Sequence, residues 1–455
     1  MAISKIRPSK FISQAIAFCL GLSLILSFHI PSIAQTPQTY NSFVQWCENR
    51  ENLSPEAKHT VDVLLGGALE VDCENASDSL SSRTVIDISW RNIRDVRPLA
   101  TLTNLTGLNL EFNSINDISP LATLTNLVGL SLTNNNIADL SPLTRLTNLT
   151  VLHLSGGDFS NLSPLSNLTN LTQLHLGGKN INDLNPLARL TNLTELEIGG
   201  ENINNVSSLT GLTNLTQLHL GGEKIKDISP LAHLENLTQL SLSGDQIETL
   251  TPLSRLTNLT QFTLRRDRRI DLTPISHLVN LTQLRLMGTG IFDISPLATL
   301  NKLTKLILER NNIRDIGSLR NLVELTELSI NNNLISDIEP LSNLTRLTKL
   351  VLVKNKIVDL RPLSNLTNLT HLSLPINIII DVSPLANLTN LTHLNIEGNH
   401  ITDLSSLSSL EKLKIIYAYS NPLATEECPV LFCDFKPPHR RCYSFSNSCK
   451  NESKN

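Results

Sequence analysis

The stretch Leu102–Thr123, LTNLTGLNLEFNSINDISPLAT, constrains the fold more than any other feature of the chain. The pattern recurs from Leu80 to Ser409, with substitutions but without insertion or deletion, as fifteen copies of 22 residues. A partial sixteenth copy runs from Leu410 to Asn421-Pro422-Leu423. A fixed period of this length marks a solenoid, because one such unit cannot hide its own apolar face and must stack on its neighbours. Length alone would suggest about three domains, but the uninterrupted repeat overrides that prior and predicts one elongated domain with a cap at each end.

Counting from the first leucine of a copy, apolar residues fall at positions 1, 4, 7, 9, 14, 17 and 20, which in the second copy are Leu102, Leu105, Leu108, Leu110, Ile115, Ile118 and Leu121. Leu108 and Leu110 alternate with Gly107, Asn109 and Glu111, the period-two pattern of a short strand. Asn113 follows at a point where a side-chain amide can bond to turning backbone. Asp117-Ile118-Ser119-Pro120-Leu121 then reads as a helical turn, with Ser119 able to cap it and Pro120 suited to a first helical position. Stacked copies pair their strands into one parallel sheet. The strand side is the shorter side of each coil, so the stack is expected to curve with its strands inside.

The motif LxxLxxLxLxxNxIxDIxPL is identified as the leucine-rich repeat. The 22-residue form with NxIxDISPLAxLTNL resembles the repeats of bacterial internalins and related secreted proteins, including cyanobacterial ones, over about 330 of the 455 residues. The resemblance implies an α/β solenoid, a right-handed leucine-rich repeat horseshoe or arc with its parallel β-sheet on the concave face and short 3-10 or helical turns on the convex face, capped at both ends. It also implies a surface or secreted protein that binds a partner on the concave face. Aromatic anchors of the kind that adhesive internalin-like repeats carry on that face are not expected here.

Residues 1–34 read as a secretory signal: Lys5, Arg7 and Lys10, then the apolar run Ala15–Phe28, then Ser32-Ile33-Ala34 as a small-x-small site cleaved after Ala34. Removing those three bases leaves 34 basic and 41 acidic residues, a net charge of −7. That balance argues against nucleic acid or an anionic membrane as the main partner. No later stretch is apolar enough to span a bilayer, and the expected location is secreted or periplasmic. Cys19 leaves with the signal, and the remaining six cysteines lie outside the repeats. Cys47 and Cys73 precede them and Cys428, Cys433, Cys442 and Cys449 follow. An even number confined to the caps of an exported chain points to disulfides, with Cys47 joined to Cys73 and the connectivity of the other four open.

The expected organisation is a helical N-terminal cap at 35–79, repeats at 80–409, a cysteine-bearing C-terminal cap at 410–449 and a disordered tail at 450–455. In the first cap, Ser54-Pro55-Glu56 opens a helix that Gly66-Gly67 should weaken. In the second, Leu413, Ile416, Tyr417 and Tyr419 continue the last coil, and the layout of cysteines after it is similar to C-terminal caps of extracellular leucine-rich repeat proteins.

Departures from the repeat single out the candidate contact residues. Position 12 is asparagine at Asn113 and Asn135, is lost from Gly157 to Thr289, and returns from Asn311 onward; glycine follows the strand in much of that middle block. The turn there should run differently, whether from drift or from function. On the exposed strand positions, His153, His175, Glu197 and His219 should stand side by side, one strand apart. Copy nine places Arg265, Arg266, Arg268 and Arg269 within five residues, with Arg285 on the next strand and Arg310 beyond it. Arginine offers planar bidentate donors to carboxylate, sulfate or phosphate. Near the C-terminal end, Ile376 and Ile378 are unusually apolar for exposed positions. Together these point to a non-enzymatic monomer that binds a protein, or a glycan, through the concave face, with no cofactor and no metal. Two alternatives remain open: a structural envelope or matrix component, and a metal-binding or enzymatic protein built on the His153–His219 row.

Overall fold

The computed structural model describes residues 39–68, 72–425, 428–430 and 432–435. The expected signal segment, Cys442, Cys449 and the 450–455 tail lie outside the described residues. Sixteen strands recur at the repeat period, from β1 (Val85–Asp87) to β16 (Ile415–Tyr417), each parallel to the next and paired with the residue 22 positions on. A last strand, β17 (Phe432–Asp434), pairs with β16 and completes one open 17-stranded sheet. Between strands, short 3-10 turns such as Ser119–Thr123 form the opposite side of each coil. Leucine and isoleucine at the seven apolar positions fill the space between, nearly all with no exposed surface. At roughly 1.5–3 kcal/mol per buried aliphatic side chain, this shared core is the dominant stabilising term.

The turn chemistry departs from expectation at one point. Ser119 does not cap the 3-10 turn through its side chain. Instead Asp117, two residues earlier, accepts from the Ser119 backbone N–H at 2.8 Å. The same bond recurs from an Asp, Asn or Thr in all fifteen copies. A carboxylate is a stronger acceptor for a free N–H than a hydroxyl, so the aspartate of the motif takes the role. The backbone N–H of the following serine holds the carboxyls of Asp139 and Asp227 below their ordinary value.

The asparagines form a ladder between coils. Asn135, 2% exposed, donates Nδ2 to Leu110 O at 2.9 Å and Leu132 O at 3.0 Å, and its Oδ1 accepts from Ile115 N–H at 3.0 Å. Asn333, Asn355, Asn377 and Asn399 repeat this pattern. In the middle block the turn does run differently. Strands lengthen from three residues to five between β4 (Val151–Ser155) and β10 (Gln283–Met287). The N–H that an asparagine would have met turns back onto its own coil: Ile203 N–H to Gly200 O and Ile225 N–H to Gly222 O, both at 3.4 Å. Glycine suits the close approach of neighbouring coils there, since a Cβ on Gly200 would lie 2.9 Å from the backbone Gly178 O.

Among the described residues three α-helices, α1 (Phe43–Glu48), α2 (Pro55–Ala68) and α3 (Cys73–Ser82), precede the sheet. α2 starts where its Ser-Pro-Glu signal places it, with Ser54 Oγ accepting from Ala57 N–H at 3.3 Å, and it continues through Gly66-Gly67. α1 and α3 were not anticipated: one is six residues long, and the other buries only Ala76 and Leu80, too little periodicity to read. Leu80, nominally the first residue of copy one, therefore sits in a helix. Cys47 and Cys73 are joined, tying α1 to α3. Thr60 Oγ1 donates to Asp95 O at 2.7 Å, and His59 Nε2 lies 2.7 Å from Arg91 O, fastening α2 to the first coil. At the other end Cys428 and Cys433 are joined, and the strand that contains Cys433 covers the edge of the sheet.

Replacing Asn355 by alanine would strand the Ile330 carbonyl and the Ile335 N–H in the core, while Leu352 O and Val353 O keep Asn377 Nδ2 and the Asn332 N–H. Its unfolding free energy should fall by about 2–4 kcal/mol, read by chemical denaturation. Glu223→Ala, at the same position of a coil without the ladder, should change stability by less than about 0.5 kcal/mol.

Candidate functional site

Strand positions 6 and 8, joined by position 10 in the five-residue strands, face outward, although Val351 at position 8 and Pro375 and Glu397 at position 10 are buried. Pairing brings His153, His175, Glu197 and His219 side by side, as the register of the repeat requires. The rings of His153 and His175 stack with centroids 4.3 Å apart and planes at 7°. His175 Nε2 lies 2.9 Å from Glu195 Oε1, and its Nδ1 lies 3.9 Å from Glu197 Oε2; His153 Nδ1 lies 3.9 Å from Glu111 Oε1. The imidazoles thus face carboxylates and each other. Among the described residues no three His, Cys, Asp or Glu side chains are placed to hold a metal ion. Burial, and then the neighbouring His175, push the His153 pKa below 6.5.

A second histidine pair lies near the C-terminal end. His371 and His393 stack at 4.5 Å and 6°, each Nδ1 lying 2.9 Å from the hydroxyl of the preceding threonine. Burial, His393 and Lys349 lower the His371 pKa in that order. Lys305 pairs with Glu327 at 2.8 Å. Ile376, Ile378, Ile380 and Val358 are exposed beyond this face, whereas Val351, at position 8 of its strand, is buried.

The arginine cluster separates into two parts. Arg265, Arg268, Arg269 and Arg285 are exposed and take part in no ion pair among the described residues. Arg265 and Arg285 stand on adjacent strands, with Arg265 opposite Met287. Arg269 lies over the Phe292 ring at 4.2 Å, and Ile270 fills the core place that Arg269 vacates. Arg266 corrects the expectation of a surface contact. It is only 5% exposed and points inward, donating Nη1 to Ile247 O at 2.7 Å and Nη2 to Asp245 O at 3.3 Å. In a coil without ladder asparagine, its guanidinium satisfies the carbonyls of the preceding turn. Burial lowers its pKa.

The sequence reading missed an aromatic feature at the opposite end. Trp90 and Phe112 stack at 3.8 Å with planes 10° apart on the rim of the sheet, and Trp90 is 70% exposed. Both sit at position 11, just past the strand, where backbone φ is +58° and +53°. That left-handed conformation costs a non-glycine residue about 1–2 kcal/mol. The signal was two aromatics exactly one period apart in a chain with few of them, obscured because position 11 belongs to a turn and not to the strand.

By NMR, His153 should titrate below 6.5, and His175→Gln should move it upward. A depressed folded-state pKa means the unfolded chain binds the proton first. The stability contributed is therefore present at neutral pH and is lost as pH falls through the folded-state value.

Comparison with known proteins agrees with this geometry. Models of paired leucine-rich repeats match residues 125–167, 213–255 and 301–343. No curated protein matches the sequence significantly. Among solved structures, an internalin of Listeria monocytogenes, InlF, is 30% identical over 87% of this chain and all of its own, with a TM-score of 0.54. A leucine-rich repeat protein of Leptospira interrogans is 24% identical over 79% of this chain and 95% of its own, TM-score 0.68. The functional domain of Listeria InlJ is 23% identical over 81% and 83%, TM-score 0.57. Period, strand register, turn chemistry and these likenesses agree: the chain belongs to the internalin-like leucine-rich repeat proteins.

Proposed function

We propose that this is an exported, non-enzymatic binding protein that grips a protein partner through the sheet face. The observation that carries the reading is the exposed set Arg265, Arg268, Arg269 and Arg285, which take part in no ion pair among the described residues, on a chain whose acids outnumber its bases. Such a patch complements an acidic surface, steering its approach and fixing its register. The histidine–glutamate row continues the same face as a mixed polar strip. Six other arginines of the described residues are held by acids: Arg50, Arg97, Arg255, Arg320, Arg346 and Arg361. The Cys47–Cys73 bond supports an oxidising compartment. No helix among the described residues is long and apolar enough to cross a membrane.

Affinity capture on the purified protein, from the medium or surface extract of its own source, tests this. Changing Arg265, Arg268, Arg269 and Arg285 to glutamate should weaken the partner's binding at least about 10-fold and flatten its salt dependence. Arg266 is left in place because its side chain supports the coil. Capture that persists undiminished would rule out the arginine face.

A further inference from the structure

The first three strands carry a surface unlike the rest of the sheet. The Trp90–Phe112 stack sits at its rim on position 11, whose left-handed backbone is shared by Asn134, Asn332 and Lys354 in other ladder coils, and Trp90 keeps most of its surface in water. Coil-to-coil bonds set the platform rigidly: Trp90 N–H donates to Glu111 O at 3.0 Å and Phe112 N–H to Thr133 O at 2.9 Å. At position 6 of the first three strands stand Val85, Gly107 and Gly129, with the exposed Val85 leaning over Gly107. Its polar groups are already oriented. Asn109 Nδ2 donates to Asp87 Oδ2 at 3.1 Å, the Ser89 N–H to Asp87 Oδ1 at 2.9 Å, and Ser131 Oγ to Glu111 Oε1.

We propose that this corner is a glycan-binding site for a neutral, pyranose-containing oligosaccharide. One sugar ring lays its C–H face on the open face of Trp90, and its hydroxyls reach Asp87, Asn109 and Glu111. A flat aromatic stack beside pre-set carboxylate and amide groups matches a sugar, whose ring has an apolar face and a rim of hydroxyl donors. The two carboxylates exclude acidic sugars. A cationic partner fits less well, because Asp87 is engaged by Ser89 and Asn109 and feels the charge of Arg91, while Glu111 is bonded to Ser131 and faces His153. The site shares no residue with the arginine face and stands or falls separately from it.

The chain has two tryptophans. Trp46 is buried in the cap, so ligand-induced changes in fluorescence at the sheet rim report Trp90. Maltohexaose, cellohexaose, mannohexaose and xylohexaose are titrated into the whole protein. At least one should give a saturable change in emission. Asp87→Ala should weaken that response at least about 10-fold, and Arg265→Glu with Arg285→Glu should leave it unmoved. Trp90→Ala, read by calorimetry with its far-ultraviolet circular dichroism checked against the parent, should abolish binding. Silence with all four oligosaccharides up to about 10 mM overturns the proposal, as does binding that survives Trp90→Ala. A lysine-rich peptide that shifts the Trp90 emission where no oligosaccharide does would assign the corner to a basic peptide and also overturn it.

Discussion

No coil of this protein can keep its own leucines from water, and that constraint organises everything else. A 22-residue loop of chain has an apolar interior only one side chain deep, open above and below. Each coil is completed by the next, so the interior is a continuous column in which almost every Leu and Ile is fully buried. Aliphatic side chains suit the width of that column. Phe159 and Phe262 are the aromatic exceptions inside the repeats, and both are accommodated without exposure. The same constraint makes the ends liabilities. The helical cap with its Cys47–Cys73 bond covers one, and a strand returning after Cys428 covers the other.

Once stacking is settled, the remaining problem is the polar backbone that must turn twice per coil. Three solutions coexist in one chain. Buried asparagines bridge successive coils at both ends of the repeat array. Glycines in the middle block let a tighter turn satisfy itself. In copy nine a guanidinium, that of Arg266, replaces the amide. These exchanges matter for the surface because they change the strand: where the ladder is lost the strand gains two residues, and position 10 joins the sheet. The histidine row, with Gly177, Gly199 and Gly221 at position 10 beside it, and the arginine-bearing strand both lie in this lengthened block.

Much of the candidate surface was legible from residue spacing, since register in a parallel sheet with a fixed period follows from counting. The adjacency of His153, His175, Glu197 and His219 is of this kind. The direction in which a side chain leaves a turn is not. Arg266 and Arg265 are neighbours in sequence, yet one points into the coil and the other to solvent. Trp90 and Phe112 stayed unread for the same reason, because their exposure depends on a left-handed residue that no alternation announces. The polar helix α3 was equally silent, with only two buried side chains to mark it.

By itself, then, the sequence determined the solenoid, its period, its single parallel sheet and the identity of the residues that line the core. These follow from hydrophobic spacing, a local and repetitive property that leaves one way to bury seven apolar side chains per coil. Tertiary structure alone decided which turn residues face outward, which acceptor closes each 3-10 turn and which charges pair. Those outcomes depend on atoms contributed by the coil 22 residues away, and the distance between two such atoms exists only after the stack has formed.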